Sequence, residues 1–301
     1  MRNRYPWHLF RTTIHSNHAI MKPHCTEYKQ ARVNSVGDRK MPLLIILFSL
    51  LITGCGSSSF AQSSSAKTAV LIIGTVHSGN RHITPKTLGK VLSNFSPDIV
   101  LIEQDEDFKP VFGLFAAYWL RIARPSMEQL AEQRFHRKNK HIPILAYDTI
   151  IPARKEYVRK LTRIIDSFHD SLHHANMDEA DSLRYADYVS RHNRFYDLYI
   201  NGTLAMINTD TVYKIEADLR AREQLLILLA NKYVSDKQLI EDYQAEVLFW
   251  TARNDYMVKK ILSVAAANEG KRLAVITGLA HKYYLRDRLA QSSRLIFQEL
   301  E

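Results

Sequence analysis

The stretch AVLIIGTVHSGN, residues 69–80, is an apolar run that ends abruptly at Gly74 and is followed by His77. The same arrangement recurs in LAVITGLAH, where Gly278 ends the apolar run and His281 follows. Continuous apolar runs with β-branched residues are typical of strands that are buried on both faces of a parallel sheet. We therefore predict two central strands, each of which presents a histidine just past its carboxyl end.

The residues after the first of these strands have the spacing of alternating helices and strands. Thr84 followed by Pro85 is typical of a helix N-terminus, and the apolar runs DIVLIEQD and HIPILAYD predict further buried strands. The predicted elements are a helix at 84–95, a strand at 98–105, a helical region at 108–138 interrupted at Pro125, and a strand at 141–148. Such alternation is typical of a parallel α/β sheet.

Residues 153–268 differ in character, because they are charged, amphipathic and poor in glycine and proline. This composition predicts several helices, the last over about 237–268. A strand at 272–278, a helix at 281–290 and a strand at 293–300 are predicted after them. The predicted fold class is therefore α/β, with a mostly parallel central sheet, flanking helices and a large helical insertion before the last strands.

Residues 1–54 have the features of an N-terminal extension with a lipoprotein signal peptide. A basic flank precedes an apolar stretch at 41–52, which is shorter than the roughly 20 apolar residues of a spanning helix. The ending ITGC, whose last residue is Cys55, resembles a bacterial lipobox, in which the signal is cut before a cysteine that is then lipidated. The alternative is a plain signal anchor with an incidental cysteine. Cys25 is the only other cysteine and lies upstream, so the mature chain cannot contain an internal disulfide.

The remaining boundaries follow from composition. Residues 1–40 lack signal features, so we expect translation to start at Met21 or Met41. The Ser-rich residues 55–67 predict a flexible tether, and residues 68–301 the α/β domain. These features predict a protein of the bacterial cell envelope that is lipid-anchored to a membrane.

The charge of the chain argues against a nucleic-acid partner. The formal net charge is +10, but residues 1–40 hold eight Lys or Arg and two acidic residues, and residues 41–54 hold no charge. A net charge of only +4 therefore remains from residue 55 onward. So mild an excess is typical of solvated faces rather than of a phosphate-binding surface.

Polar side chains follow the predicted strands at their carboxyl ends, which is where open parallel α/β sheets bind ligands. Each of these residues alone is more simply a surface or helix-capping side chain, but their convergence favours a site. Two imidazoles with a carboxylate suit a catalytic divalent metal with open positions, and they equally suit acid–base catalysis without metal. The residues delivered to this edge are His77, Glu103, Asp105, Asp148 and His281.

Four short motifs, in order, resemble those of the TraB/GumN/Tiki superfamily, which also includes ChaN-like haem-binding proteins. They are Gly74-Thr75-x-His77, the PDIVLIEQD strand with Glu103, Arg253-Asn254-x-x-Met257, and Gly278-x-x-His281. The resemblance covers roughly residues 68–298. It implies an α/β fold with two Gly-x-x-His motifs and, as in Tiki members, a metal-dependent protease that uses Mn or Co. Applied to this sequence motif by motif, the resemblance implies active-site roles for His77, Glu103, Arg253, Asn254 and His281.

The leading hypothesis is a membrane-tethered, metal-dependent hydrolase, resembling a metallopeptidase, that acts on a peptide or small acyl substrate. His77 and His281 would hold Mn, Co or Zn together with Glu103, or Glu103 would act as the base. Arg253, beside Asn254, would stabilise the developing oxyanion.

Two other functions stay open at this stage. The first is a ChaN-like lipoprotein that binds haem or another iron compound through a Tyr or His axial ligand, for which Tyr283 is a candidate. The second is an inactive member that only binds a partner. Asp105, Asp148 and Tyr283 are additional candidate site residues. The sequence has no Gly-x-Ser-x-Gly elbow and no Gly-rich nucleotide motif, which argues against a serine hydrolase and a nucleotide-binding protein.

The lipobox makes a direct prediction. Replacing Cys55 by Ser removes the thiol that would carry the lipid, so the variant is expected to be released from membranes or misprocessed. Membrane fractionation with mass spectrometry of the N-terminus measures this. A Cys55→Ser protein that is cleaved and partitions into membranes as before would contradict the lipoprotein assignment.

Overall fold

The computed structural model describes residues 66–77, 79–105 and 126–300. Its central sheet has five strands, all parallel, in the order β3-β2-β4-β1-β5, which confirms the predicted fold class. The strands are β1 (Thr68–Thr75), β2 (Ile99–Asp105), β3 (Ile144–Asp148), β4 (Arg272–Gly278) and β5 (Leu295–Gln298). Cys55 and the predictions for residues 1–65, like the first part of the helical region predicted at 108–138, lie outside the described residues.

The two strands that carry the glycine–histidine segments, β1 and β4, are direct neighbours in the sheet. Gly74 lies opposite Thr277, and Thr75 opposite Gly278, so both strands end at the same level. Residues that are far apart in sequence, such as Ala69 and Arg272, are thereby paired in register. This confirms the predicted adjacency.

The described part of the chain contains nine helices. Those before β3 are α1 (Pro85–Phe95) and α2 (Met127–Lys138), and α9 (Leu279–Leu289) follows β4 directly. The predicted helical insertion is confirmed, because the described residues between β3 and β4 contain helices and no strand. These helices are α3 (Arg154–His173), α4 (Glu179–Asn201), α5 (Leu204–Ile207), α6 (Asp210–Ala221), α7 (Glu223–Tyr233) and α8 (Lys237–Ala266). None of the helices in the described ranges is long and apolar enough to cross a membrane.

Local sequence explains several element boundaries. Thr84 caps α1 through a reciprocal hydrogen-bonded box with Thr87, as the Thr-Pro signal predicts. The third strand begins at Ile144, three residues later than predicted. Pro143 has no N–H to donate to a strand ladder, although its carbonyl accepts from the Val100 backbone N–H at 3.0 Å.

Both faces of the sheet are buried. Along β1, Leu71 and Ile73 belong to the core beneath α1 and α2, whereas Val70 and Ile72 belong to the core beneath α8 and α9. This alternation explains why the strand is continuously apolar from Ala69 to Ile73. The helical insertion has a core of its own, in which the rings of Phe168 and Tyr243 stack with centroids 3.7 Å apart.

A buried amide ties the insertion to the end of β1. The Asn208 side chain accepts from the Gly74 N–H at 2.7 Å and donates to the Gly74 carbonyl at 2.9 Å. Lys282, on α9, donates to the same Asn208 Oδ1 at 2.8 Å. A side chain at position 74 would crowd this contact, since an added Cβ would lie 3.0 Å from Leu279 and 3.3 Å from Asn208 Oδ1.

The insertion is expected to be acid-sensitive because of His169. Burial, together with the neighbouring His192, lowers the pKa of His169 to about 3. The unfolded chain binds this proton near pH 6.5 and the folded chain does not, so stability is full above pH 6.5 and falls below it. The lowered pKa of His169 should therefore reduce the free energy of unfolding by about 2 kcal/mol between pH 7 and pH 5.

Urea unfolding of wild type and His169→Phe at both pH values measures this loss. The Phe variant should lose about 2 kcal/mol less than wild type, by the same linkage. An exposed-site control, His141→Gln, should behave as wild type. If His169→Phe loses as much stability as wild type on acidification, the assignment to His169 is wrong.

Candidate functional site at the carboxyl edge of the sheet

Glu103 lies at the centre of the polar cluster that the sequence predicts at the strand ends. Its Oε2 accepts from the Gly278 N–H at 2.6 Å and from the Thr277 hydroxyl at 3.0 Å. Its Oε1 accepts from Arg253 Nη2 at 2.8 Å. Burial raises the pKa of this carboxyl, but His281, Arg253 and His77 outweigh burial and hold the pKa well below its usual range. Glu103 is therefore an ionised carboxylate in a buried setting.

His281 is a buried, neutral imidazole of fixed orientation. Asn254 donates its Nδ2 to the Trp250 carbonyl, so its Oδ1 is the atom that faces His281 Nδ1, at 2.8 Å. Because that oxygen only accepts, Nδ1 carries the hydrogen and Nε2 has a lone pair. Burial lowers the pKa of His281 to about 4, although Glu103 acts in the opposite direction. Nε2 lies 3.5 Å from Glu103 Oε1.

His77 has the same arrangement on the other side of Glu103. Its Nδ1 lies 3.1 Å from Oε1 of Glu128, a buried carboxylate that also accepts from the Thr75 hydroxyl at 2.5 Å. Its Nε2 lies 3.9 Å from Glu103 Oε1. Partial removal from water lowers the pKa of His77, but Glu128 and then Glu103 outweigh this and raise the pKa above its ordinary value. The side chain is 46% exposed, so this imidazole forms the open side of the cluster.

The two histidines converge as the sequence predicts. Both Nε2 atoms approach the same oxygen of Glu103, so they are no farther apart than the sum of 3.5 and 3.9 Å. Gly278 makes this possible, because a Cβ at that position would lie 2.8 Å from His77 Nε2. Real Cβ contacts are essentially never that short. The glycine that ends β4 therefore leaves room for the histidine that follows β1.

Arg253 connects the last helix of the insertion to this cluster. Its Nε and Nη2 donate to the two oxygens of Asp148 at 2.9 and 2.7 Å, a bidentate pair that fixes the plane of the guanidinium. Its Nη1 lies 3.4 Å from His281 Nε2. Asp148 is completely buried and also accepts from Arg154, which pairs with Asp105 as well. Asp105 and Asp148 thus hold arginines at the site.

Tyr283 lies farther out than the other candidates. Its ring stacks on Trp250 with centroids 6.0 Å apart, and Trp250 in turn stacks on His281 at 5.7 Å. Arg220 covers the Trp250 ring at 4.5 Å. Among the described residues, Tyr283 pairs with neither Glu103 nor His77, and it supports the aromatic layer behind His281.

Sequence reasoning missed Glu128 and Arg154. Glu128 lies in the first turn of α2, after a Ser126 cap that pairs with Gln129. This pattern predicts a helix N-terminus, but it does not predict that Glu128 faces His77. Arg154 lies in the basic run ARKEYVRK, which has the pattern of a solvated helix face. Neither position has a local signal that distinguishes it from ordinary helix residues.

In comparisons with known proteins, no family model, curated protein or solved structure matches the chain. Within the described ranges, no group of three or more His, Cys, Asp or Glu side chains is arranged so that it could hold a metal ion. The superfamily resemblance and the metal therefore stay predictions, and the geometry of the residues is the basis for any functional argument.

The role of Gly278 can be tested directly. Gly278→Ala should displace the His77 ring, because the new Cβ would lie 2.8 Å from Nε2. The imidazole nitrogen signals in long-range ¹H–¹⁵N spectra should then shift for His77.

Gly89→Ala on α1 is the matched control, since nothing lies within 4 Å of its Cβ position. It should leave the His77 signals unchanged and stabilise the helix by about 0.5–1 kcal/mol. Unchanged His77 signals in Gly278→Ala would mean that the close approach does not exist.

Proposed function

We propose that this chain is a membrane-tethered, metal-dependent hydrolase that acts on a peptide or a related acyl bond. One observation carries the proposal. Two imidazoles, each with its Nδ1 held by a side-chain oxygen, turn their Nε2 atoms toward one buried carboxylate oxygen. Metal-binding histidines are oriented in this way by the hydrogen bond of their second ring nitrogen.

Two donor–donor distances are close to those around a divalent ion, although the described residues as they stand are not arranged as a metal site. Nitrogen and oxygen ligands bind zinc at about 2.0–2.2 Å, so two ligands of one ion lie about 3–3.6 Å apart. The His281–Glu103 distance of 3.5 Å is in this range, and the His77–Glu103 distance of 3.9 Å requires only a small movement of the more exposed ring. His77, His281 and Glu103 would therefore hold the ion, with Glu128 and Asn254 orienting the imidazoles.

A divalent ion bound there would supply Lewis acidity toward a carbonyl oxygen and a nucleophile at neutral pH. Arg253 is rigidly placed by Asp148, and its Nη1 faces the side of the site where His281 Nε2 lies. A guanidinium held in this way can donate to an oxygen that becomes negative in the transition state, at little cost in reorganisation. Alternatively the Glu103 carboxylate, which His281 and Arg253 help to keep ionised, would act as the base instead of binding the ion.

The membrane part of the proposal rests on the sequence. The ITGC motif predicts lipidation at Cys55, and the Ser-rich residues before β1 would then link the lipid to the folded domain. The haem-binding alternative rests on Tyr283 and His281, which both stack on Trp250. An absorption spectrum with added haem separates the two ideas, because only the binding protein would produce a Soret band.

Metal titration followed by peptidase assays tests the proposal. Calorimetry on the detergent-solubilised full chain should show one high-affinity site for Mn, Co or Zn. His77→Ala and His281→Ala should each weaken binding at least tenfold, because the loss of a ligand exceeds the 10–100-fold cost of losing an outer partner. Arg253→Met should keep the metal and reduce kcat by about 10²–10³, as expected for one oxyanion donor.

His136→Ala on α2 serves as the control and should bind metal as wild type. Failure of the wild-type chain to bind any of the three ions would contradict the metal assignment. Peptide hydrolysis that persists in chelator and requires both His77 and His281 would instead indicate metal-free acid–base catalysis by the same residues.

A further inference from the structure

Arg154, the first residue of α3, has donors that the fold does not use. Within the described ranges its hydrogen bonds all come from Nη2, which donates to Asp105, to Asp148 Oδ2 at 3.2 Å and to the Thr149 carbonyl at 3.4 Å. Its Nε is shielded from solvent, and no acceptor among the described residues reaches it. The side chain as a whole is 34% exposed, so the guanidinium stands at the open edge of the site. A buried N–H without an acceptor is costly, and such groups in native proteins require an explanation.

The two arginines at this edge are held side by side. Asp148 Oδ2 accepts from Arg253 Nη2 at 2.7 Å and from Arg154 Nη2 at 3.2 Å, so these nitrogens are separated by no more than the sum of the two distances. One residue of extended chain spans about 3.3–3.6 Å. A group bound by Arg154 would therefore lie one to two residues along a peptide from a carbonyl at Arg253 Nη1.

The ligand chemistry follows from the donor. A guanidinium N–H makes a charge-assisted hydrogen bond to a carboxylate, and bonds of this kind are short and strong. Asp105 and Asp148 fix the orientation of Arg154 through Nη2, and no acceptor among the described residues reaches its Nη1. This leaves a positioned cationic donor next to the proposed scissile bond, a suitable receptor for the carboxylate that ends a peptide.

An apolar surface lies next to this donor. Tyr157, one helical turn after Arg154, packs its ring against Phe249 of α8 with centroids 5.2 Å apart. Phe249 remains 36% exposed. The Tyr157 hydroxyl donates to Glu246 at 2.6 Å, so a ligand at this surface would contact the aromatic rings and not the hydroxyl.

We propose that Arg154 binds the C-terminal carboxylate of the substrate, so that the enzyme releases the last residue of a peptide, preferably one with an apolar side chain. This inference rests on the proposed hydrolase function. The reaction consumes one water: the carbonyl carbon–nitrogen bond breaks, a carbon–oxygen bond forms, and the departing amine takes up a proton. Tyr157 and Phe249 would contact the side chain of the released residue.

The binding test does not depend on hydrolysis. The full chain is kept in chelator, and calorimetry measures its affinity for an N-acetylated tripeptide ending in phenylalanine, as free acid and as C-terminal amide. The acid should bind at least about tenfold more tightly, since hydrogen bonds to charged groups are strong enough for a 10- to 150-fold difference. Arg154→Met should abolish the difference, and Arg154→Lys should retain part of it.

Arg222→Met provides the matched control, because Arg222 is a partly exposed arginine that also pairs with two aspartates, Asp187 and Asp218. It should keep the preference for the acid. Equal binding of acid and amide by the wild type, no binding of either, or a preference that survives in Arg154→Met would overturn the proposal.

The same two peptides are then compared with metal present. If the acid preference depends on Arg154 but neither peptide is hydrolysed, the carboxylate site stands and the hydrolase function fails. If both peptides are hydrolysed equally well and bind equally well, the hydrolase stands and the role of Arg154 is wrong.

Discussion

The need to compensate the buried charge of Glu103 shapes this end of the molecule. An ionised carboxylate is stable in the interior only when hydrogen bonds and opposite charge replace water. Its partners come from distant parts of the chain: Thr277 and Gly278 at the end of β4, and Arg253 near the middle of α8. The neighbouring strand and the last helix of the insertion are thereby fixed relative to β2.

Arg253 creates a second requirement of the same kind. Its guanidinium is largely buried and has to be balanced by more than one carboxylate, and Asp148 at the end of β3 supplies both oxygens. Asp148 in turn accepts from Arg154, where the insertion begins. The first and last helices of the insertion are thus attached to the same sheet edge through one aspartate. Asn208 attaches the middle of the insertion to β1 at Gly74.

The sequence was sufficient for the framework of the site. Apolar runs ending at Gly74 and Gly278 predicted the central strands, and the rule that ligands gather at strand carboxyl ends placed His77, Glu103 and His281 together. These predictions succeed because strand direction in a parallel sheet determines where the residue after each strand must lie. The helical insertion was predictable because its periodicity continues over a hundred residues with few glycines and prolines.

The partners that orient the site residues were not predictable. Glu128 contacts His77 only because α2 packs with its N-terminus at the edge of the sheet, where the Met127 N–H donates to the His77 carbonyl at 3.2 Å. The bidentate Arg253–Asp148 pair joins residues 105 positions apart, and the sharing of Asp148 with Arg154 depends on how α3 leaves the sheet. Helix packing decides such contacts, and a single sequence has no local pattern that reports it. Tyr283 is a candidate that the sequence suggested but the fold moves away. It is close to His281 in sequence, yet its ring stacks on Trp250 and does not reach the carboxylates.

Anomalous diffraction from crystals grown with Mn²⁺ tests the central claim most directly. We expect one strong anomalous peak between the Nε2 atoms of His77 and His281 and the Glu103 carboxylate, within about 2.3 Å of each donor atom by the bond lengths of comparable ions. The Nδ1 atoms of His77 and His281 should remain hydrogen-bonded to Glu128 and Asn254, respectively. A peak located elsewhere, or well-ordered crystals at saturating Mn²⁺ with Arg253 still paired to Glu103 and no peak between the histidines, would contradict it.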